Sequence, residues 1–279
     1  MKIIVLLVLL ASVPNYSQTL SIYISNSNEK NASIYQISGE KTTLLDSNVA
    51  ISKGSINYTF QRNDLPDGQL SVFLSPRLRV DFLYDGRDVV LETDAKALVD
   101  SMKVKKSESN RLFYSFLKLN RDYKTKTELL HLILARYPKY DPYYTETRKR
   151  LNELQSNYIE FVNVTSQENP DLFVSRYIRS SQLPILDSDL SVDGQLPYLK
   201  AHALDNVDFN NKRLINSDVF ANKAIEYLSY YRNPQLPKEL LEKEFCSAID
   251  SVLSKARTNS FVYEHITEYL IGGFKRFGF

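Results

Sequence analysis

The sequence predicts an α+β protein. An antiparallel β-domain, sandwich or barrel-like, occupies residues 19–104, and an all-α helical bundle occupies 105–279. Two patterns predict this. From residue 19 to 98, β-branched and aromatic runs alternate apolar with polar positions, and no long helical pattern interrupts them. After Lys106 the apolar period becomes helical, and capping residues and prolines punctuate it. A third observation sets the compartment. Residues 1–18 read as a secretory signal peptide: basic Met1-Lys2, then an apolar run over 3–13 that is too short to span a bilayer, then small and polar residues. Cleavage is expected near Ser17–Gln18, delivering the chain to a bacterial periplasm.

In order, the strand runs are SIYISN, ASIYQIS, TTLLDS, NVAIS, SINYTFQ, QLSVFLS, LRVDFLYD and DVVLETD. Turns separate them at Ser38-Gly39, Lys53-Gly54, Pro66-Asp67-Gly68 and Asp85-Gly86. Such spacing predicts an antiparallel sandwich or open barrel. Ser107 or Ser109 caps a first helix with Leu112, Phe113, Phe116 and Leu117 on one face. A helix over 124–137 follows. Asp141-Pro142 is a cap with proline at the first helical position, and it opens a long helix through Val162. Asn169-Pro170 repeats that start signal. Residues 180–197 carry breakers and read as a loop. Ser217, Pro237 and Ser260 open three further helices, giving about seven in all, with proline-marked connections.

Composition excludes some functions. The chain has 279 residues, 43% of them hydrophobic, which is enough for one large domain or two modest ones. With 35 basic and 33 acidic residues the formal net charge is +2, so nothing in the charge balance favours nucleic acid or an anionic membrane. No second apolar run reaches a membrane span. Cys246 is the single cysteine, so no internal disulfide and no dithiol couple can form. It is expected as a buried, inert thiol on a helix; a mixed-disulfide role would need exposure and a lowered pKa. Tryptophan is absent, and 19 Tyr and 14 Phe carry the aromatic packing.

The chemistry-bearing residues are few. His202 and Asp205, three apart, share a helix face and with Asp208 form a weak candidate for a divalent ion; capping and turning of the chain is the plainer role. His131 reads as a core-edge histidine and His265 as a surface imidazole beside Glu264 and Glu268. Asp187, Asp189 and Asp193-Gly194 have the look of a calcium loop, but Val192 and Tyr198 stand where an EF-hand needs glycine and glutamate. Lys103, Lys105, Lys106 and Arg111 form a basic cluster at the strand-to-helix junction. Tyr137, Tyr140, Tyr143 and Tyr144 offer a binding surface for sugars or peptides, or else pack a helix turn. Phosphate loops, Gly-x-Ser-x-Gly, H-E-x-x-H and C-x-x-C are absent from the sequence. No catalytic residue and no cofactor are assigned.

Two stretches carry a resemblance. The first is Leu44-Leu45-Asp46-Ser47, then residues 53–60 (KGSINYTF), then 85–94 (DGRDVVLETD), with the link 105–110 (KKSESN). It resembles the N-terminal β-domain ahead of the thioredoxin fold in exported TlpA-like proteins of Gram-negative bacteria. The second is residues 202–209 (HALDNVDF), Arg213-Leu214 and 220–223 (FANK). It is similar to the helical region of unknown function that follows in the same proteins, with Leu204 in place of the usual aromatic residue. In that family a C-terminal thioredoxin domain carries thiol–disulfide exchange through paired cysteines. This sequence has neither a C-x-x-C nor a thioredoxin-like pattern, so no catalytic residue carries over. The apolar ending, with Phe274, Phe277 and Phe279, reads either as docked on the helices or as a surface for a missing downstream domain; the second is favoured.

The expected function is therefore a non-catalytic accessory module of an envelope thioredoxin-like system, serving partner binding, dimerisation or positioning. The expected partner is a protein or a downstream thioredoxin domain, with a homodimer as a further option. The alternative is a stand-alone periplasmic binding protein for a peptide, glycan or lipid. An enzyme built on His202, Asp205 and Asp208 is the third and weakest reading.

Overall fold

A computed structural model describes residues 18–60 and 65–277. The signal peptide expected over 1–18 lies, apart from Gln18, outside the described residues, as does Phe279. The described chain is α+β. Eight strands come first: β1 (Thr19–Ser25), β2 (Asn31–Ser38), β3 (Lys41–Ser52), β4 (Ser55–Thr59), β5 (Gly68–Ser75), β6 (Leu78–Tyr84), β7 (Val89–Asp94) and β8 (Lys103–Lys106). Seven helices follow: α1 (Glu108–Arg136), α2 (Pro142–Glu168), α3 (Phe173–Ser181), α4 (Val192–His202), α5 (Val219–Ser229), α6 (Lys238–Ala256) and α7 (Ser260–Phe277). A 3-10 turn over Lys212–Asn216 leads into α5.

The strands form one hydrogen-bonded sheet in the order β6-β5-β2-β3-β4-β1-β7-β8. Alternation works as the sequence implies: Leu20, Ile22 and Ile24 of β1 and Val89 and Leu91 of β7 are buried while their neighbours are not. Three features differ from expectation. The runs TTLLDS and NVAIS are one strand, β3, which passes through Asn48 at φ 63° and has an irregular register against β2. The sheet is not wholly antiparallel: β1 pairs with β7 in parallel, Leu20 opposite Val89 through Ser25 opposite Asp94. Lys105 and Lys106, expected to open the link to the helices, instead belong with Lys103 and Val104 to β8 on the far side of β7.

The helices depart from expectation in similar ways. No glycine or proline interrupts residues 108–136, so the two expected helices are one, α1, capped by Ser107, whose side chain accepts from the Asn110 amide. Asp141 caps α2 as expected, accepting from Tyr143 N at 2.8 Å. The Asn169-Pro170 signal makes a turn first, and α3 starts three residues later, at Phe173. Half of the expected 180–197 loop is helical: Ser191 caps α4, which contains Pro197 and buries no residue. Ser217 accepts from Val219 N at 3.4 Å at the start of α5.

One continuous cluster of buried side chains runs from Leu20 and Phe82 in the sheet to Phe113, Phe173, Phe220 and Ile266 in the helices. The two halves thus share a core. Polar contacts fix the seam. Asn110, fully buried, offers its side-chain amide to the edge strand β6 as another strand would. Its Nδ2 donates to Leu83 O and its Oδ1 accepts from Leu83 N, both at 2.8 Å. Gln69 on β5 donates to the Asp218 carboxylate at 3.4 Å and accepts from the Asp218 amide at 3.1 Å. The Tyr177 hydroxyl donates to the same carboxylate at 3.0 Å. At Gly68 the 3-10 turn lies so close that an added Cβ would stand 2.5 Å from Asn216 O.

The junction lysines are paired: Lys103 and Lys105 with Glu92, and Lys106 with Asp88 at 2.8 Å. Asp88 also accepts from the backbone and hydroxyl of Thr19, tying β1, β7 and β8 together. The hydrogen bond from Lys106, then those from Thr19, hold its carboxyl at about 2 against an ordinary 3.8. The unfolded chain therefore takes up this proton first as pH falls. The contribution of Asp88 to stability is complete above 3.8 and is lost on descent through about 2. An NMR titration of the Asp88 side chain should give a midpoint near 2, and the Lys106→Ala variant a higher one. A midpoint near 3.8 in the unaltered chain would contradict the pairing.

Candidate functional site: an apolar groove at the seam

Helices α6 and α7 pack as a hairpin through Ala248, Val252 and Ala256 on one side and Val262, Ile266 and Leu270 on the other. The small residues on α6 let the two approach closely. Toward the C-terminal end of α7 the packing opens. Phe274 meets Phe245 of α6 edge-on, with ring centroids 5.8 Å apart. Gly273 has nothing within 4 Å of where a Cβ would stand. A groove of about 450 Å³ results, walled by Ile225 and Leu228 of α5, Phe245, Tyr269 and Phe274, with Glu40 from the β2–β3 turn at its rim. A second groove, of about 410 Å³, lies across the Phe245–Phe274 pair and includes Cys246, Ile249 and Ile271. Ile225 and Ile271 are 52% and 50% exposed, so the apolar lining reaches the surface.

Both halves of the chain contribute. Glu40 pairs with Arg276 and Lys41 pairs with Glu268, joining the β2–β3 turn to α7. Gly39 donates its amide to Ser217 O at 2.8 Å. Beneath this turn, burial first and Lys41 second lower the pKa of His265, and its Nε2 is buried without a hydrogen-bond partner. Its neighbours make it a half-buried seam residue, not the surface imidazole expected. Burial, with Glu40 adding to it, pushes the Tyr269 hydroxyl up to about 12, so it stays neutral. Arg232 lies at the rim, exposed and without an ion pair among the described residues. This lining suits a bound apolar side chain flanked by an acid. Its polar lining includes Ser229, whose hydroxyl donates to Glu226 O at 2.6 Å.

The residues singled out by sequence distribute as follows. Cys246 is exposed, contrary to expectation. The buried stripe of α6 runs through Ala248, Val252 and Ala256, and position 246 is two residues off it, turned roughly 200° away. His202 Nδ1 lies 2.8 Å from Asp205 Oδ2, but α4 ends at His202 and Asp205 lies in the turn after it, so the two meet without sharing a helix face. Asp205 also receives Lys255 at 3.2 Å, while Asp208 accepts from Asn210 N and stays apart. Among the described residues no group of three or more His, Cys, Asp or Glu could hold a metal. Tyr137, Tyr140 and Tyr143 are exposed at the α1–α2 turn, with the rings of Tyr137 and Tyr143 5.1 Å apart. Tyr144 is buried with Leu134 and Leu151 and drops out of that surface. Phe274 packs on Phe245 within the chain, and the side chain of Phe277 lies outside the described residues. Asp189 pairs with Arg148 at 3.0 Å, and Asp187 turns onto the Asp189 amide.

Sequence reasoning missed Ile225, Tyr269 and Gly273. A usable signal existed: Ile225 and Ile271 fall off the buried stripes of their helices, and Gly272-Gly273 interrupts an otherwise apolar helix. Comparison of the chain with protein-family models, curated proteins and solved structures gives no match. Among the described residues no helix is long and apolar enough to cross a membrane.

Proposed function

We propose that this chain is a non-catalytic, exported docking module of an envelope thiol–disulfide system in a Gram-negative bacterium, and that the seam groove receives an apolar segment of a thioredoxin-fold partner. In this reading the curled sheet is a barrel-like domain and the helices a bundle, as in the TlpA-like proteins the sequence resembles. The observation that carries the reading is the groove: it is apolar, open, and built from both halves of the chain. The resemblance and the lack of a C-x-x-C support it from the sequence side. The residues of the second resembling stretch act at the same seam. Arg213 pairs with Asp67, Leu214 and Phe209 are buried, and Lys223 is buried and paired.

An insulin-disulfide reduction assay tests the non-catalytic half of this reading. The expected result is no turnover by the chain alone, because a single thiol forms a mixed disulfide and has no partner to resolve it. Turnover comparable to that of a thioredoxin would overturn the proposal. The exposed Tyr137, Tyr140 and Tyr143 favour a second reading, a periplasmic binding protein for a glycan or peptide. Saturable binding of soluble envelope glycans, lost on replacing Tyr140 with alanine, would move the assignment there.

A further inference from the structure

A polar pocket of about 400 Å³ lies away from the groove, between α3 and the turn after α4. One wall is Ser175, Arg176, Arg179 and Ser180 of α3; the other is residues 205–208 (DNVD). Arg176 and Arg179 are three apart and so project to the same side of their helix. Neither makes a hydrogen bond or an ion pair through its side chain, although eighteen other ion pairs are formed among the described residues. The Nε of Arg176 is sealed from solvent and has no acceptor. Its two Nη atoms are not sealed, and among the described residues no protein group accepts from them.

The surroundings explain why no protein group does. The serines are engaged with the backbone: Ser175 Oγ donates to Thr165 O at 3.2 Å, Ser166 Oγ donates to Val162 O at 2.8 Å, and Ser180 Oγ accepts from Asp208 N at 3.2 Å. Asp205 is held by Lys255 and His202. Asp208 keeps one oxygen on the Asn210 amide at 3.2 Å and forms no ion pair with either arginine. Lys255 offsets Asp205, so the two arginines leave the pocket with an excess of positive charge over Asp208 alone. The amide of Asn206 adds an unpartnered donor and acceptor to the lining.

We propose that this pocket binds a small oxyanion, a carboxylate or a phosphate, end-on to the two Nη atoms of Arg176, with Arg179 as the second cation. The planar fork of arginine presents its two Nη atoms in a geometry that two oxygens of such a group accept. No covalent step is involved. The site is separate from the groove, and its failure would leave the docking proposal untouched.

The test is thermal denaturation and calorimetric titration of the full chain with sodium phosphate and, separately, sodium acetate, against sodium chloride at matched ionic strength. The expected result is saturable stabilisation by at least one of the two oxyanions, as mass action requires of a ligand bound only to the folded state. Arg176→Gln should weaken that binding by about tenfold or more, and Arg179→Gln by less, since a bidentate charged contact is lost in the first. Phosphate acting alone would assign a phosphoryl ligand; acetate acting alone would assign a carboxylate. Stabilisation no larger than that by chloride would overturn the proposal. So would equal stabilisation of Arg176→Gln, which would mean nonspecific screening. Should Arg176→Gln fail to fold, ³⁵Cl and ³¹P line broadening on the unaltered chain and on Arg179→Gln decide the matter: competitive displacement supports the site, and its absence removes it.

Discussion

Replacing Asn110 with alanine is expected to lower the free energy of unfolding by about 2–6 kcal/mol, because two buried backbone groups lose their partners at about 1–3 kcal/mol each. Leu83 is fully buried, and its N–H and C=O are satisfied by the Asn110 side chain at 2.8 Å each. Water cannot replace that amide without entering the core. The variant should unfold at lower urea with an unchanged slope, and the Leu83 amide should exchange faster than its neighbours on β6. Asn110→Asp should not recover the loss, because its carboxylate would be buried without a cation and would face the Leu83 carbonyl. A loss below about 0.5 kcal/mol, the range of an ordinary surface change, would mean that α1 is not what closes the sheet edge.

The second large effect is expected at Lys223. Its side chain is 5% exposed, and its ammonium donates to Gln182 O at 2.7 Å and to Glu226 at 2.9 Å. Tyr230 donates to the other oxygen of Glu226 at 2.9 Å. Burial lowers the Lys223 pKa, and Glu226 works against that shift. Lys223→Met keeps the volume but leaves a half-buried carboxylate and a carbonyl without their cation. Removing one partner of a buried pair costs about 3–5 kcal/mol, and the partial exposure of Glu226 puts the expected loss at about 2–4 kcal/mol. Lys223→Met with Glu226→Gln should recover a measurable part, since the uncompensated charge is then gone. No recovery in that double variant would show that Lys223 acts through packing alone.

The legible part of this chain was the part governed by local rules. Alternation located the strand segments, and the Asp141-Pro142, Pro237 and Ser260 starts located three helices within a residue or two. Partner choice was not legible. Nothing in Leu20-Ser21-Ile22 states that its neighbour is β7 running parallel, because a period of two fixes faces and not pairings. The continuity of α1 across residues 118–123 was hidden because its polar stretch there faces solvent or, at Asn120, accepts from Tyr158 at 2.6 Å. The breaker composition around Pro197 implies a loop, whereas Ser191, accepting from the Gly194 amide, starts a helix regardless. Residue type alone places Cys246 in the interior, and the buried stripe of α6 puts it outside. The groove was the least legible feature. It depends on where α5, α6 and α7 fail to fill space around Gly273, which is a property of three helices together and of no single motif.

The most direct test of the docking role is a titration of the isotopically labelled chain with a separately produced thioredoxin domain of a TlpA-like protein from the same organism, followed by NMR. Saturable shifts should be confined to Ile225, Leu228, Tyr269 and Phe274 and be abolished in Ile225→Glu, whose exposed position leaves the fold intact. Absence of any shift, or shifts that persist unchanged in Ile225→Glu, would contradict the groove as the docking surface of this protein.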